Sequence, residues 1–73
     1  MGEKIGIYSG KEVVARMKRA GWTVDRQKGS HVMMVKPDYV YTLSIPQHKE
    51  LGPGILRKIL RQASISIQEF KSL

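Results

Sequence analysis

The stretch "WTVDRQKGSHVMMV", residues 22–35, decides the fold, because it has the pattern of two strands joined by a tight turn. Side chains alternate in character over residues 22–27, which is typical of a half-buried strand. Lys28-Gly29 supplies the turn, and the apolar residues 31–35 form a second strand. Because the connection is so short, the two strands are predicted to pair antiparallel.

A third strand is predicted over residues 40–45, where Tyr41, Leu43 and Ile45 share one face. Lys36-Pro37-Asp38 separates it from the second strand with residues typical of turns. Pro46 ends the strand. Two short connections favour a three-stranded antiparallel meander.

Helices are predicted on both sides of this meander in the sequence. Ser9 and Glu12 have the spacing of a capping box, in which each side chain satisfies a free backbone N–H. Apolar residues at helical spacing follow: Val13, Val14, Met17 and Ala20. Gly21 suits the left-handed position that ends a helix.

Two further helices are predicted after the third strand. Pro53 suits the first turn of the second helix, and Ser66 with Glu69 forms a capping box at the start of a short third helix. The apolar stripe of the second helix is Leu56, Ile59, Leu60 and Ala63.

The predicted order is therefore α-β-β-β-α-α, an α+β class with helices on one face of a three-stranded antiparallel sheet. The other face is left for solvent or a ligand. Residues 1–73 are enough for one small domain.

The charge of the chain indicates its partners. Thirteen Lys and Arg oppose six Asp and Glu, a net charge of +7 that attracts polyanions. Nucleic acid is favoured, although solubility alone also explains a basic domain. A membrane surface is disfavoured because the basic residues are spread over several elements, and no apolar run is long enough to span a bilayer.

Metal, disulfide and cofactor chemistry are not indicated. The chain has no cysteine, which fits a cytoplasmic location, and its two histidines and six carboxylates show no metal-ligand spacing. The sequence contains no phosphate-binding GxxxxGK motif and no nucleophile elbow. No metal and no small-molecule cofactor are therefore expected.

His31 is the candidate for proton transfer. It shares a strand face with Met33 and Val35, so it lies on the open face if Val32 and Met34 point toward the helices. An isolated histidine beside a turn is often an ordinary surface residue. Imidazole, however, can act as a general base or acid near neutral pH.

The neighbours of His31 favour phosphate chemistry. Gly29 permits close backbone approach to a phosphate, Lys28 adds a cation, Ser30 a hydroxyl, and Arg26 projects nearby. Cleavage of RNA by its own 2′-OH requires a base, donors for the phosphoryl oxygens and an acid for the leaving 5′ oxygen.

Residues elsewhere have competing structural explanations. His48 is the candidate secondary proton donor, or else a polar residue capping the second helix. Trp22 is more typical of a packing anchor than of a base-stacking platform. Either Tyr39 or Tyr41 is a candidate for stacking a base on the open face.

An ordered series of residues across positions 9–70 resembles a known family. The series comprises Ser9-Gly10-Lys11-Glu12-Val13-Val14, Ala20-Gly21-Trp22, Arg26-Gln27-Lys28-Gly29-Ser30-His31, Ile45-Pro46, His48, Glu50-Leu51, Pro53-Gly54, Leu56, Ile59-Leu60, Gln62-Ala63 and Glu69-Phe70. At these spacings the chain resembles the HicA toxins of HicAB toxin–antitoxin systems.

This resemblance implies a double-stranded-RNA-binding-like fold and a metal-independent endoribonuclease that cleaves mRNA. The family's catalytic histidine falls on His31, and its preceding glycine on Gly29. A HicB antitoxin that covers the active site is the implied protein partner. A non-catalytic RNA-binding module and a remnant that only binds a partner protein are the alternatives.

Two departures from the family pattern stand out. Ser64 replaces the glycine that often follows the second helix, so it must end the helix without glycine's conformational freedom. Val32 follows His31 where a histidine or polar residue is common, which leaves the general acid unassigned.

Overall fold

The computed structural model describes residues 5–73 of the chain. Its elements are α1 (Gly10–Arg19), β1 (Thr23–Lys28), β2 (His31–Val35), β3 (Leu43–Pro46), α2 (Pro53–Ala63) and α3 (Ile67–Lys71). The predicted order is confirmed.

The three strands form one antiparallel sheet in the order β1-β2-β3. Met34 opposes Leu43 across the sheet, and both are fully buried in the core that the helices cover. His31 and Met33 alternate with Met34 along β2 and so project from the opposite face, which we call the outer face. The α+β class is confirmed.

β1 is not the half-buried strand that its sequence pattern predicts. All six of its residues are exposed, including Val24. β1 and β3 are both edge strands, but α2 packs against β3, whereas the side chains of β1 remain in water. Trp22 lies just before β1 and is only 1 % exposed, with its ring centroid 5.2 Å from that of Tyr39. Trp22 is therefore a packing anchor.

β3 begins later than predicted. It covers Leu43–Pro46 rather than residues 40–45, and Val40 and Tyr41 are 94 % and 56 % exposed. Tyr41 lies outside the strand and is exposed while Leu43 is buried, so the prediction that the two share a strand face is wrong. β2 ends at Val35, and its penultimate residue already opposes Leu43, so the preceding residues have little strand to pair with.

The start of α1 carries half of the predicted capping box, the bond to Ser9, and not the reciprocal bond to the Glu12 side chain. The Ser9 hydroxyl accepts a hydrogen bond from the backbone N–H of Glu12 at 3.1 Å. The Glu12 carboxylate lies 4.0 Å from Arg16 one turn later. Gly21 follows the helix with a φ of +98°, as its position after Ala20 predicts.

The ends of α2 and α3 follow their sequence signals. Pro53 begins α2, and Ser64 takes the left-handed conformation with a φ of 59° in place of a glycine. Ser66 and Glu69 form the reciprocal capping box of α3. This cap lets the five-residue helix place Phe70 in the core, where it is fully buried.

Candidate functional site

The hairpin between β1 and β2 brings Lys28 and His31 together. These residues are direct cross-strand partners, and only Gly29 and Ser30 lie between them. Gly29 has a φ of +61°, which fits a type II′ turn with glycine at its first central position. A β carbon on Gly29 would meet no atom within 4 Å, so its backbone is open to an approaching group.

A β-bulge sets the direction of Arg26. Val24 opposes Met34, yet Arg26 opposes Met33, because Asp25 is inserted without a partner. Opposed residues share a face, so the bulge puts Arg26 on the outer face with Lys28 and His31. In an unbroken register Arg26 would oppose Val32 on the inner face. A strictly alternating sequence pattern cannot reveal this change.

His31 is half-buried and lies where two clefts meet on the outer face. The first cleft, on the β1 side, is lined by Lys28, His31, Met33 and Ser44. The second, of about 300 Å³, extends from His31 and Ser44 toward α2. Three of the predicted site residues, Arg26, Lys28 and His31, thus lie on one face around an imidazole that solvent can reach.

The second cleft includes residues that were not predicted from the sequence to belong to the site. Lys58 and Gln62, one turn apart on α2, form its far wall, and the hydroxyl side chains of Thr42 and Ser44 line the near side. The exposed side of α2 is recognisable in the sequence. Its packing beside β3, which brings Lys58 to His31, is a tertiary arrangement that the sequence pattern does not contain.

The charges around His31 favour an anion. Of the residues lining these two clefts, drawn from the described residues 5–73, none carries a carboxylate, whereas Lys28 and Lys58 carry ammonium groups. A phosphate beside His31 would therefore find a cation in each of the two clefts and no carboxylate to repel it.

The turn is held against the loop that follows β3. The backbone N–H of Gln47 donates to the Ser30 carbonyl at 2.7 Å, and the N–H of Gly10 donates to the His48 carbonyl at 2.9 Å. The exposed His48 side chain lines a separate cleft with Ser9 and Lys11. The structure therefore fixes the His48 backbone near the turn and places its imidazole in a different cleft from that of His31.

The fold and this site together define a class: a small basic α+β domain with one histidine among cations on the open face of its sheet. The chain matches the family model of the HicA toxin of bacterial toxin–antitoxin systems over residues 10–65 of 73. The chain belongs to this family. A search of curated proteins finds no match.

Membership makes the chain a toxin of a toxin–antitoxin system, from a family associated with ribonuclease activity. An antitoxin is the protein partner that this class implies. Among the helices described between residues 5 and 73, none combines the length and the apolar character needed to cross a membrane. The matched segment includes every predicted site residue: Arg26, Lys28, Gly29, Ser30, His31 and His48.

Proposed function

We propose that the chain is a cytoplasmic, metal-independent endoribonuclease that cleaves mRNA and is neutralised by a HicB-like antitoxin. The observation that carries the proposal is the position of His31, half-buried between Lys28 and Lys58 on the outer face. Membership in the toxin family supports the same activity.

The proposed reaction is attack of an RNA 2′-OH on the adjacent phosphate. His31 removes the proton of the 2′-OH as the general base. The new bond forms between the 2′ oxygen and phosphorus, the bond from phosphorus to the 5′ oxygen breaks, and an acid protonates that oxygen. The products are a 2′,3′-cyclic phosphate and a 5′-hydroxyl end.

Groups of the hairpin stabilise the charge that builds on the phosphoryl oxygens. Lys28 contributes an ammonium, Gly29 its exposed backbone and Ser30 its hydroxyl. Arg26, which the bulge places on the same face, holds an RNA phosphate beside the reacting one. Together these groups position the RNA and lower the barrier.

His48 is the candidate acid for the leaving 5′ oxygen. It is the second of the chain's two histidines, and it lies two residues beyond Pro46, the strand partner of His31. To act there its imidazole must turn from its own cleft toward that of His31. A fall in the cleavage rate of His48→Ala would support this role, and an unchanged rate would exclude His48 as the acid.

The HicB-like antitoxin would neutralise the toxin by covering the outer face. Lys28 and Lys58 line the clefts that meet at His31 and form no ion pair among the described residues, so an acidic surface would complement them. An antitoxin bound in this way would exclude RNA from the clefts and would also block access to His31, the general base.

The test compares the wild-type chain with His31→Ala. We expect the wild type to cut RNA and arrest bacterial growth, and His31→Ala to do neither while keeping its thermal transition. Thr23→Ala, at the far end of the same hairpin face, is the matched control and should remain active. Undiminished cleavage by His31→Ala contradicts the proposal. Wild-type chain that binds RNA but leaves it uncut would be a non-catalytic RNA-binding module.

A further inference from the structure

A third cleft continues the two that meet at His31. It is lined by Tyr41, Lys58, Arg61 and Gln62. It shares Lys58 and Gln62 with the cleft beside His31, and that cleft shares His31 with the cleft of Lys28. The three clefts adjoin one another as one groove, which runs from the hairpin, past β3 at the edge of the sheet, to the exposed side of α2.

Tyr41 is the aromatic wall at the α2 end of this groove. Its side chain is 56 % exposed, although it lies only three residues before Ser44, which lines the cleft of His31. Three residues span at most roughly 10 Å, so the Cα atom of Tyr41 lies within that distance of the Cα atom of Ser44, beside the cleft of His31. An exposed ring at this position contributes nothing to the buried core.

The groove is cationic along its length. Lys28 lies at one end, Lys58 at the middle and Arg61 at the other end. Lys58 and Arg61 are one helical turn apart on the exposed side of α2, and neither forms an ion pair within residues 5–73. Residues that line the groove, all from the described chain, include no Asp or Glu. A polyanion could follow the groove past His31.

We propose that this groove binds single-stranded RNA and that Tyr41 stacks on a base next to the cleaved phosphate. The proposal deepens the proposed function and rests on it. Lys58 and Arg61 hold the phosphates of the RNA on the α2 side of His31, and Gln62, which lines the same cleft, can donate to and accept from a base edge. Cationic grooves with exposed aromatic rings are the usual means of binding single strands.

The aromatic wall favours a single strand over a duplex. A base can stack on Tyr41 only if it is free of its own helical stack, which bases in loops and single strands are. A duplex would present phosphates to Lys58 and Arg61 but no free base face to the ring. The groove thus distinguishes unpaired from paired RNA through one side chain.

Binding of a short fluorescent RNA, measured by anisotropy, tests this proposal. The RNA carries 2′-O-methyl groups, so attack by a 2′-OH cannot occur and the result does not depend on whether His31 catalyses. The full-length wild-type chain is compared with Tyr41→Ala, Tyr41→Phe and Val40→Ala, the last an exposed neighbour that lines none of the three clefts.

We expect Tyr41→Ala to weaken binding of the single strand by about 5- to 150-fold, the usual range for loss of one stacked base. Tyr41→Phe keeps the ring and should bind as the wild type does, as should Val40→Ala. A duplex of the same sequence should bind the wild type and Tyr41→Ala alike. Equal binding of the single strand by wild type and Tyr41→Ala would overturn the proposal.

The same variants give a different result if the groove binds a protein instead of RNA. If Tyr41→Ala binds RNA normally but loses its complex with the antitoxin, the ring belongs to a protein interface and the proposal fails. Absence of RNA cleavage by the wild type, with the stacking effect intact, would overturn the proposed function alone.

Discussion

A β carbon cannot be placed between Gly10 and Pro46: it would lie 2.1 Å from the Pro46 carbonyl oxygen. The same β carbon would lie 2.8 Å from the Cα atom of Gln47. The first residue of α1 is therefore pressed against the backbone that follows β3. Because Pro46 opposes His31 across the sheet, this contact links the start of α1 to the strand that carries the candidate base.

We predict that Gly10→Ala destabilises the chain by about 1–3 kcal/mol, the usual cost of overpacking a filled site. The two nearest atoms are backbone, so they cannot move aside as the end of a flexible side chain would. Alanine's higher helix propensity offsets only part of this cost. Thermal denaturation followed by circular dichroism measures the change, at roughly 4–8 °C per kcal/mol for a domain of this size.

Gly54→Ala is the matched control for this prediction. Gly54 also lies in the first turn of a helix, but a β carbon there would meet no atom within 4 Å. The substitution should be neutral or stabilise by up to about 1 kcal/mol. Equal destabilisation by Gly10→Ala and Gly54→Ala would show that the contact with Pro46 is not the cause.

Arg16 ties α1 to the end of α3. Its Nη1 atom donates to the main-chain oxygens of Phe70 at 3.0 Å and Lys71 at 3.1 Å. Its guanidinium carbon also lies 5.0 Å from the ring centroid of Tyr8. The positive charge of Arg16 therefore interacts favourably with the free carbonyl oxygens at the C-terminus of α3.

We predict that Arg16→Ala costs about 2–3 kcal/mol, because it removes charge-assisted hydrogen bonds and the stacking of the guanidinium. Arg16→Lys should recover only part of this, since an ammonium lacks the planar fork. Arg19→Ala removes an exposed charge from the same helix, and should change stability by less than about 0.5 kcal/mol. Urea denaturation compares the three, and equal effects of Arg16→Ala and Arg19→Ala would contradict the prediction.

The helices, their caps and the order of elements could be predicted because they depend on local patterns. The capping box of Ser66 and Glu69 and the left-handed Ser64 are set by residues a few positions apart. The exposure of β1 and the residue at which β3 begins could not be predicted, because both depend on where the helices cover the sheet. Alternation around Val24 indicates a strand but cannot tell an edge strand from a central one.

The hairpin part of the candidate site could be predicted in the same way. Lys28 and His31 flank a two-residue turn, so their proximity follows from the sequence. The side of Arg26 depends on a bulge, and the approach of Lys58 depends on the packing of α2 beside β3. Neither the direction of the Arg26 side chain nor the position of Lys58 near the site can therefore be predicted from the residues next to it in the sequence.

Lys58 should act on RNA through its charge. We predict that Lys58→Ala weakens binding of uncleavable single-stranded RNA at all sequences, and lowers the slope of log affinity against log salt by about 1. Lys18→Ala is the control, because Lys18 is exposed on α1 and lines none of the three clefts. An unchanged slope for Lys58→Ala, or the same decrease for Lys18→Ala, would show that Lys58 does not contact a phosphate.

Removal of divalent metal should leave RNA cleavage unchanged. Attack by the 2′-OH requires a base, charge stabilisation and a proton donor, and side chains of this class supply all three without a Lewis acid. We therefore expect equal cleavage rates with excess EDTA and with added magnesium, at constant ionic strength so that phosphate binding is unchanged. The measurement is the appearance of fragments with a 2′,3′-cyclic phosphate end. Cleavage that stops in EDTA and returns with magnesium would place the reaction on a metal, and His31 would then lose its role as the base.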